Sequence, residues 1–280
     1  QSLFPVVFSS PNSGREYPEA FTASSRLCPR TLRTSEDCFI DELFGGVAEL
    51  GCTLLHAAFP RAYLDVNREP YELDQAMFAD PLPAFANTTS SRVSGGLGTI
   101  PRIVAENREI YARLLKWPEA QERIDTLYHP YHSALKALMA ASLEQFGSAL
   151  LIDCHSMPST AVQHTFGLRG KRADIVLGDR YGSTCDNALC ERLADLFEKA
   201  GLTVARNKPY AGGYITQTYG RSGHAKQALQ VEVNRGLYIN ERTFERLPGF
   251  AALRDAISGI MAEFLPFAAE FSRPVSIAAE

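Results

Sequence analysis

Short apolar runs of strand length alternate along this chain with longer segments that have helical spacing. The clearest run is 150–152, Leu-Leu-Ile, which is followed at once by polar residues beginning with Asp153. Such runs predict strands at 3–9, 52–57, 148–154, 173–177, 202–206 and 229–233. The segments between them predict helices at 35–50, 103–116, 118–146, 184–200 and 248–271. Alternating strands and helices predict an α/β fold with a mixed or mostly parallel sheet.

Two segments lack this periodicity. Residues 67–102 are rich in Pro, Ser, Thr and Gly, and a loop of that length in a compact domain is usually functional or disordered. Residues 209–220 contain Gly212, Gly213 and several tyrosines, which predicts a hairpin or a lid. No internal repeat or low-complexity linker divides the sequence, so we expect residues 1–280 to form a single domain.

Composition and charge argue against nucleic-acid binding and against a membrane-spanning protein. Lys and Arg number 28 against 32 Asp and Glu, a net charge of −4, whereas nucleic-acid binding needs clustered basic residues. No apolar run approaches the length of a membrane span. The first residues lack a basic segment followed by an apolar one, so we expect no signal peptide. The six cysteines form no Cys-x-x-Cys pair, which is typical of reduced thiols and predicts a cytoplasmic protein.

Candidate chemistry begins at the end of the predicted strand 148–154. Ligands bind at the carboxyl ends of strands in open α/β sheets, so His155 is predicted to be a metal ligand or a base. The alternative is a structural turn with a hydrogen-bonded histidine. A hydrolase that uses Cys154 together with His155 is a further alternative. Because neighbouring strand residues point to opposite faces, we expect Cys154 to pack in the core instead.

The segment from Arg61 to Arg68 is dense in groups that bind carboxylates. An arginine fork binds a carboxylate through two parallel hydrogen bonds, and Asn67 adds a neutral donor. A salt-bridged surface loop is the alternative interpretation. Because these charges follow a predicted strand, we interpret them as part of a binding site.

A single acid, Glu232, interrupts an apolar strand. It lies between Val231 and Val233, which places its carboxyl on the face opposite to theirs. Burying a carboxylate costs free energy, so it needs a partner or a task. We predict that Glu232 is a general base, and an ion pair with Arg235 is the alternative.

Four acids lie at 36–42, near a predicted helix start. Asp37 and Asp41 are four residues apart and would share one face of the helix. Either is a candidate metal ligand. The alternative is that these acids stabilise the amino terminus of the helix.

Several of these segments, in this order, resemble the N-formylglutamate amidohydrolase family over nearly the whole chain. The matching blocks are 10–15, 36–43, 65–68, 151–156, 212–215 and 229–238. The family is distantly similar to zinc carboxypeptidases and aspartoacylase. The resemblance implies a three-layer α/β/α, phosphorylase/hydrolase-like fold with a central, mostly parallel sheet and one divalent metal, expected to be zinc.

The resemblance also implies an activity and a set of roles. The reaction would be hydrolysis of N-formyl-L-glutamate, a small dicarboxylate, to formate and L-glutamate in histidine degradation. His155 would be a metal ligand and Glu232 the general base. Arg61 would polarise the carbonyl or bind a second carboxylate. The substrate would contact Asn67, Arg68, Arg235, Gly213 and Tyr214.

One position departs from the family pattern. The family's first block normally has a histidine, the expected first metal ligand, where this chain has Asn12. An amide oxygen is a poor zinc donor compared with imidazole. Two alternatives therefore stay open: a related N-acyl amino acid hydrolase with a different acyl group, and a catalytically weak binder of acidic metabolites.

Overall fold

A computed structural model describes residues 2–165, 167 and 172–271. Its strands are β1 (Val6–Ser10), β2 (Thr53–His56), β3 (Ile103–Val104), β4 (Arg108–Glu109), β5 (Ala149–Met157), β6 (Ile175–Gly178), β7 (Val204–Arg206) and β8 (Lys226–Asn234). Six of them form one sheet in the order β2-β1-β5-β8-β6-β7. All neighbours are parallel except β6 and β8, which are antiparallel. The predicted mixed, mostly parallel sheet is confirmed.

The α-helices are α1 (Glu19–Ser24), α2 (Pro29–Leu32), α3 (Ile40–Leu43), α4 (Ser91–Ser94), α5 (Trp117–Arg123), α6 (His129–Phe146), α7 (Asn187–Lys199), α8 (Tyr214–Tyr219) and α9 (Phe250–Phe271). A π-helical turn, Ile124–Tyr128, joins α5 to α6 and gives the long helix predicted at 118–146. The described helices include none that is both long and apolar enough to cross a bilayer.

Helices cover both faces of the sheet, and the sequence of β5 is apolar on both faces as a result. Leu150, Ile152 and Cys154 pack in one apolar cluster with residues of α3, α7 and α9. Ala149 and Leu151 pack in a second cluster with residues of α6. A strand buried on both faces has a continuous apolar run rather than an alternating one. The expected packing of Cys154 in the core follows from the same alternation.

The helix predicted at 35–50 is wrong. The segment instead consists of a 3-10 turn at Arg33–Ser35, the short α3 and a second 3-10 turn at Gly45–Ala48. The backbone N–H of Asp37 donates to the carbonyl of Asn12, 2.9 Å away, and Phe39 adopts a left-handed φ of 61°. The hydrogen bond ties the segment to the loop after β1, and the left-handed residue interrupts the helical backbone, so a regular helix cannot form.

Two other predicted elements also differ. The helix predicted at 103–116 is replaced by the hairpin of β3 and β4, whose connection contains Asn107 with a φ of 56°. Residues 209–220 do not form the predicted hairpin; an extended segment leads directly into α8. In both places, contacts with distant parts of the chain override weak local preferences.

Candidate active site

A cavity of about 560 Å³ opens at the carboxyl ends of β5 and β8. His155 on β5 and Glu232 on β8 line it, and the loop after β2 contributes Arg61, Asn67 and Arg68. Parallel neighbours in a sheet end at the same edge, so the strand-end side chains of β5 and β8 necessarily face one space. The structure therefore brings together residues that are up to 171 positions apart in the chain.

The imidazole of His155 lies between two buried carboxylates. Its Nδ1 is 2.8 Å from Asp37 Oδ2, and its Nε2 is 3.1 Å from Asp153 Oδ2. Burial alone would lower the pKa of His155, but Asp153 and Asp37 outweigh it and raise that pKa well above its usual value. Asn67 Nδ2 also lies 3.1 Å from Nε2.

Asp37 holds this histidine in place and is itself bonded to two further residues. Its Oδ1 accepts from Ser156 Oγ at 3.1 Å and from Arg235 Nη2 at 3.2 Å. Arg235 also donates to Ser156 Oγ and to the carbonyl of Thr34, so each of its three nitrogens has a protein partner. The structure thus places Arg235 behind Asp37, where it holds the carboxylate in position. Arg235 also lines the cavity, and its expected contact with substrate stays a prediction.

Asp65 organises the arginines of the loop after β2. Its Oδ2 is 2.9 Å from Arg61 Nε and 3.3 Å from Arg68 Nη2. Its Oδ1 accepts from the backbone N–H of Asn67 at 2.9 Å. Burial opposes ionisation, but the two guanidinium groups hold the pKa of Asp65 well below its usual range. Asp65 therefore orients both arginines toward the cavity.

The close contact with Asn67 explains why position 213 is a glycine. A Cβ at position 213 would lie 2.5 Å from Asn67 Nδ2, which only glycine avoids. Asn67 Oδ1 accepts from the backbone N–H of Ile215 at 2.8 Å, and Gly213 N–H donates to Gln230 Oε1 at 2.8 Å. These bonds fix the Asn67 amide beside His155. Glycine at position 213 thus allows the Asn67 amide to occupy this place.

Tyr214 lies apart from the cavity wall. Its ring packs edge-on against His132, with 5.9 Å between ring centroids. The tyrosine that lines the cavity is Tyr210, four residues earlier. The sequence predicted a tyrosine from this segment at the site, and the structure supplies a different one, because α8 begins at Tyr214 and turns that side chain toward the helical layer.

Glu232 faces the cavity as the alternation along β8 predicts. Val231 and Val233 pack in the core on the other face. Glu232 is only 6% exposed, and its Oε1 accepts from Gln230 Nε2 at 2.7 Å. Burial raises the pKa of Glu232 to about 7, and Asp37 contributes further, whereas His155 acts in the opposite direction. A carboxyl with such a pKa can accept and return a proton near neutral pH.

The other two candidate ligands, Asn12 and Asp41, do not join this group. Asp41 pairs with Arg15 Nη2 at 2.8 Å, near the partly exposed Glu42, and does not line the cavity. Asn12 is fully buried next to Asp37, whose backbone N–H donates to its carbonyl, but it does not line the cavity; its amide donates to Asp65 and its Oδ1 has no hydrogen-bond partner among the described residues. The break in the predicted helix at 35–50 explains the divergence, since Asp37 and Asp41 no longer share a face.

These contacts decide how well the site suits zinc. Within residues 2–165, 167 and 172–271, no three His, Cys, Asp or Glu side chains are arranged to hold a metal ion. Catalytic zinc sites use three such ligands. Asp37 and Asp153 both lie against His155, but each is paired with a ring nitrogen of that histidine, and both oxygens of Asp37 already accept hydrogen bonds from protein groups. The donor set of the described residues does not fit a catalytic zinc ion.

The sequence assigned no role in the site to Gln230, Ser156, Asp65, Arg92 or Asp153, although it placed Asp153 beside His155 at the end of the strand. Gln230 could have been predicted from the sequence, because it is two positions from Glu232 and therefore lies on the same face of β8. Ser156 and Asp153 flank His155, but their contacts depend on Asp37 and Thr216 from distant segments. Asp65 belongs to a block that suggested the family, yet its link to two arginines appears only in the folded chain.

A buried carboxyl of raised pKa, set among arginines at the strand ends of a mixed α/β sheet, defines a hydrolase-type site for small anionic substrates. Comparison with known families agrees with this class. A family model described as N-formylglutamate amidohydrolase matches residues 4–239. The chain belongs to the N-formylglutamate amidohydrolase family, as the blocks in its sequence indicated.

Comparison with individual relatives supports membership of the same family. The chain is 31% identical over 242 residues to an N-formylglutamate deformylase of Pseudomonas aeruginosa, covering 85% of this chain and 83% of the relative. It is 29% identical over 249 residues to that of Pseudomonas putida, covering 86% and 84%. A crystal structure of N-formylglutamate amidohydrolase from Ralstonia eutropha JMP134 superposes with a TM-score of 0.89, at 35% identity over 97% of this chain and 96% of that one.

Proposed function

We propose that this protein hydrolyses N-formyl-L-glutamate to formate and L-glutamate. Membership of the family and the names of the relatives support this substrate. The cavity supports it independently, because four arginines (Arg61, Arg68, Arg92 and Arg235) line it against three carboxyl groups. Such an excess of positive charge suits a substrate with two carboxylates. The observation that carries the proposal is the buried Glu232 carboxyl, which faces this cavity with a pKa raised to about 7.

Glu232 supplies the proton transfer. Its carboxylate takes a proton from a water molecule as the water oxygen attacks the formyl carbon. The carbon–nitrogen bond then breaks, and the protonated Glu232 returns the proton to the leaving amine. Formate and glutamate are the products. A pKa near the working pH favours both halves of this transfer.

Arg61 is suited to stabilise the oxygen of the attacked carbonyl. Its Nε is held by Asp65 at 2.9 Å, which fixes the plane of the guanidinium group. The two terminal nitrogens of Arg61 have no hydrogen-bond partner within the described parts of the chain. A positive charge that is oriented before the reaction stabilises the developing oxyanion without reorganisation.

Asn67 and Arg68 would bind the carboxylate next to the scissile amide. Both line the cavity and are nearly buried, at 4% exposure each. Arg68 is held by Asp65, the carbonyl of Leu97 and the carbonyl of Asn67. A guanidinium carries five N–H groups, so Arg68 keeps N–H groups for a ligand after these contacts. The rigid anchoring lowers the entropy lost on binding.

Metal dependence stays a prediction, as does a place in histidine degradation. The steps above use only side chains of this protein. Elemental analysis of the purified protein, combined with formate release before and after chelation, decides the metal requirement.

The test of the proposed function is formate release from N-formyl-L-glutamate by the purified protein and by Glu232→Gln. We expect turnover by the native protein and a loss of about 100-fold or more in kcat for the variant. Glu263→Gln, on the exposed face of α9, is the control and should behave as the native protein. Turnover of N-acetyl-L-glutamate but not of the formyl compound would favour the alternative with a larger acyl group. Binding without turnover of either would favour the metabolite binder.

A further inference from the structure

The four arginines of the cavity differ in how the protein uses them. All three nitrogens of Arg68 and of Arg235 have protein partners. Arg61 is held through its Nε alone. The side chain of Arg92 lines the same cavity and has no hydrogen bond or ion pair to any residue that the structure describes. Its whole guanidinium group is therefore available to a ligand.

The backbone of Arg92 is held in place, although its guanidinium group has no hydrogen-bond partner among the described residues. It lies on α4, and the side chain of Ser90 caps this helix by accepting from Val93 N–H. Val93, the next residue, is buried and anchors the helix. The Arg92 side chain is half-buried at the wall that Leu97 and the β3–β4 hairpin also form. A long cationic side chain on an anchored helix can reach a ligand without moving the backbone.

Arg92 also places a second positive charge near Arg68. Burial lowers the pKa of Arg68 to about 10, and the charges of Arg61 and Arg92 act in the same direction. Asp65 neutralises part of this charge but is shared between Arg61 and Arg68. A carboxylate between Arg68 and Arg92 would relieve this repulsion. Repulsion between like charges that line one cavity favours binding of an anionic ligand there.

We propose that Arg92 binds the side-chain carboxylate of the substrate and thereby selects N-acyl amino acids that carry a second carboxylate. This inference rests on the proposed function. The carboxylate beside the scissile amide is assigned to Asn67 and Arg68, and the carbonyl oxygen to Arg61. The distal carboxylate then needs a cation with free donors at the cavity wall, and Arg92 meets that requirement.

The experiment compares two substrates that differ only at the distal group, N-formyl-L-glutamate and N-formyl-L-glutamine. For Arg92→Gln, we expect the KM for N-formylglutamate to rise about tenfold or more, while the KM for N-formylglutamine and both kcat values change less than about threefold. Arg92→Lys, which keeps the charge, should recover part of the lost affinity. Arg30→Gln is the matched control, because Arg30 also lies on a four-residue helix but away from the cavity.

Each result is decisive. Equal losses on both substrates would make Arg92 a structural residue, and no loss on either would show that it does not touch the ligand. Both results overturn the proposal. If the native protein releases no formate from N-formylglutamate, the proposed function is wrong, and the role of Arg92 must be tested by binding instead. Binding of L-glutamate and L-glutamine, measured by calorimetry, then tests Arg92 by itself: loss of the preference for glutamate in Arg92→Gln supports the assignment, and an unchanged preference overturns it.

Discussion

His155 and Glu232 are register partners on neighbouring parallel strands of the sheet. Adjacent strands lie about 4.8 Å apart, so the two side chains emerge next to each other on the same face. His155 is held between Asp37 and Asp153, whereas the Glu232 carboxyl accepts, among the residues that the structure describes, a hydrogen bond from Gln230 alone. The pair therefore joins a fixed imidazole with a carboxyl that remains open to the cavity.

The raised pKa of Glu232 predicts the pH dependence of the reaction. A general base must be ionised, so kcat/KM should fall as the pH is lowered through about 7, the pKa of this carboxyl. Gln230→Leu removes a donor that stabilises the carboxylate, which should move the acid limb to higher pH. Initial rates between pH 5 and 9 provide the measurement. A limb near pH 4.5 in the native protein would contradict the assigned base.

Asp37 and Asp41 provide a matched pair of substitutions. Asp37→Asn should lower kcat/KM by about 100-fold and the free energy of unfolding by about 2–4 kcal/mol, because it leaves Arg235 buried without its carboxylate. Asp41→Asn should change both far less, since its partner Arg15 is one-third exposed. Urea denaturation and formate release measure the two effects. Similar losses for both variants would show that the contacts of Asp37 are not the important ones.

Gly213→Ala tests the contact that orients Asn67. The added Cβ would displace the Asn67 amide, which should lower kcat/KM about tenfold and cost about 1–3 kcal/mol of stability. Gly45→Ala is the control, because no atom lies within 4 Å of its added Cβ. The control should change stability by less than about 1 kcal/mol. An unaffected Gly213→Ala enzyme would mean that the position of Asn67 does not matter.

Position 12 allows a test of metal binding that does not depend on turnover. We expect the native protein to hold less than one equivalent of zinc per chain, because no three His, Cys, Asp or Glu side chains in the described parts of the chain are arranged around one point. Asn12→His should raise the zinc content, since imidazole is a far better donor than an amide oxygen. Elemental analysis after dialysis measures it, with Asn240→His as an exposed control. A full equivalent of zinc in the native protein would contradict the expectation.

The sequence by itself determined the parts of this protein that depend on local pattern. The alternation along β8 placed Glu232 opposite the core-facing Val231 and Val233. The apolar run before Asp153 marked the central strand, and helical spacing marked the segments that became α6 and α9. These features were predictable because side-chain direction repeats every two residues in a strand and every 3.6 in a helix.

Only the tertiary structure decided which charged groups are free to act. The sequence pointed to Arg235 and not to Arg92, but the Arg235 guanidinium is held by Thr34, 201 positions away, whereas the Arg92 guanidinium has no hydrogen-bond partner among the described residues. The choice of Asp37 over Asp41 beside His155 likewise depends on a backbone bond to Asn12. The physical reason is that a hydrogen bond or ion pair is fixed by distance in space, and partners from distant segments leave no periodic signal along the chain.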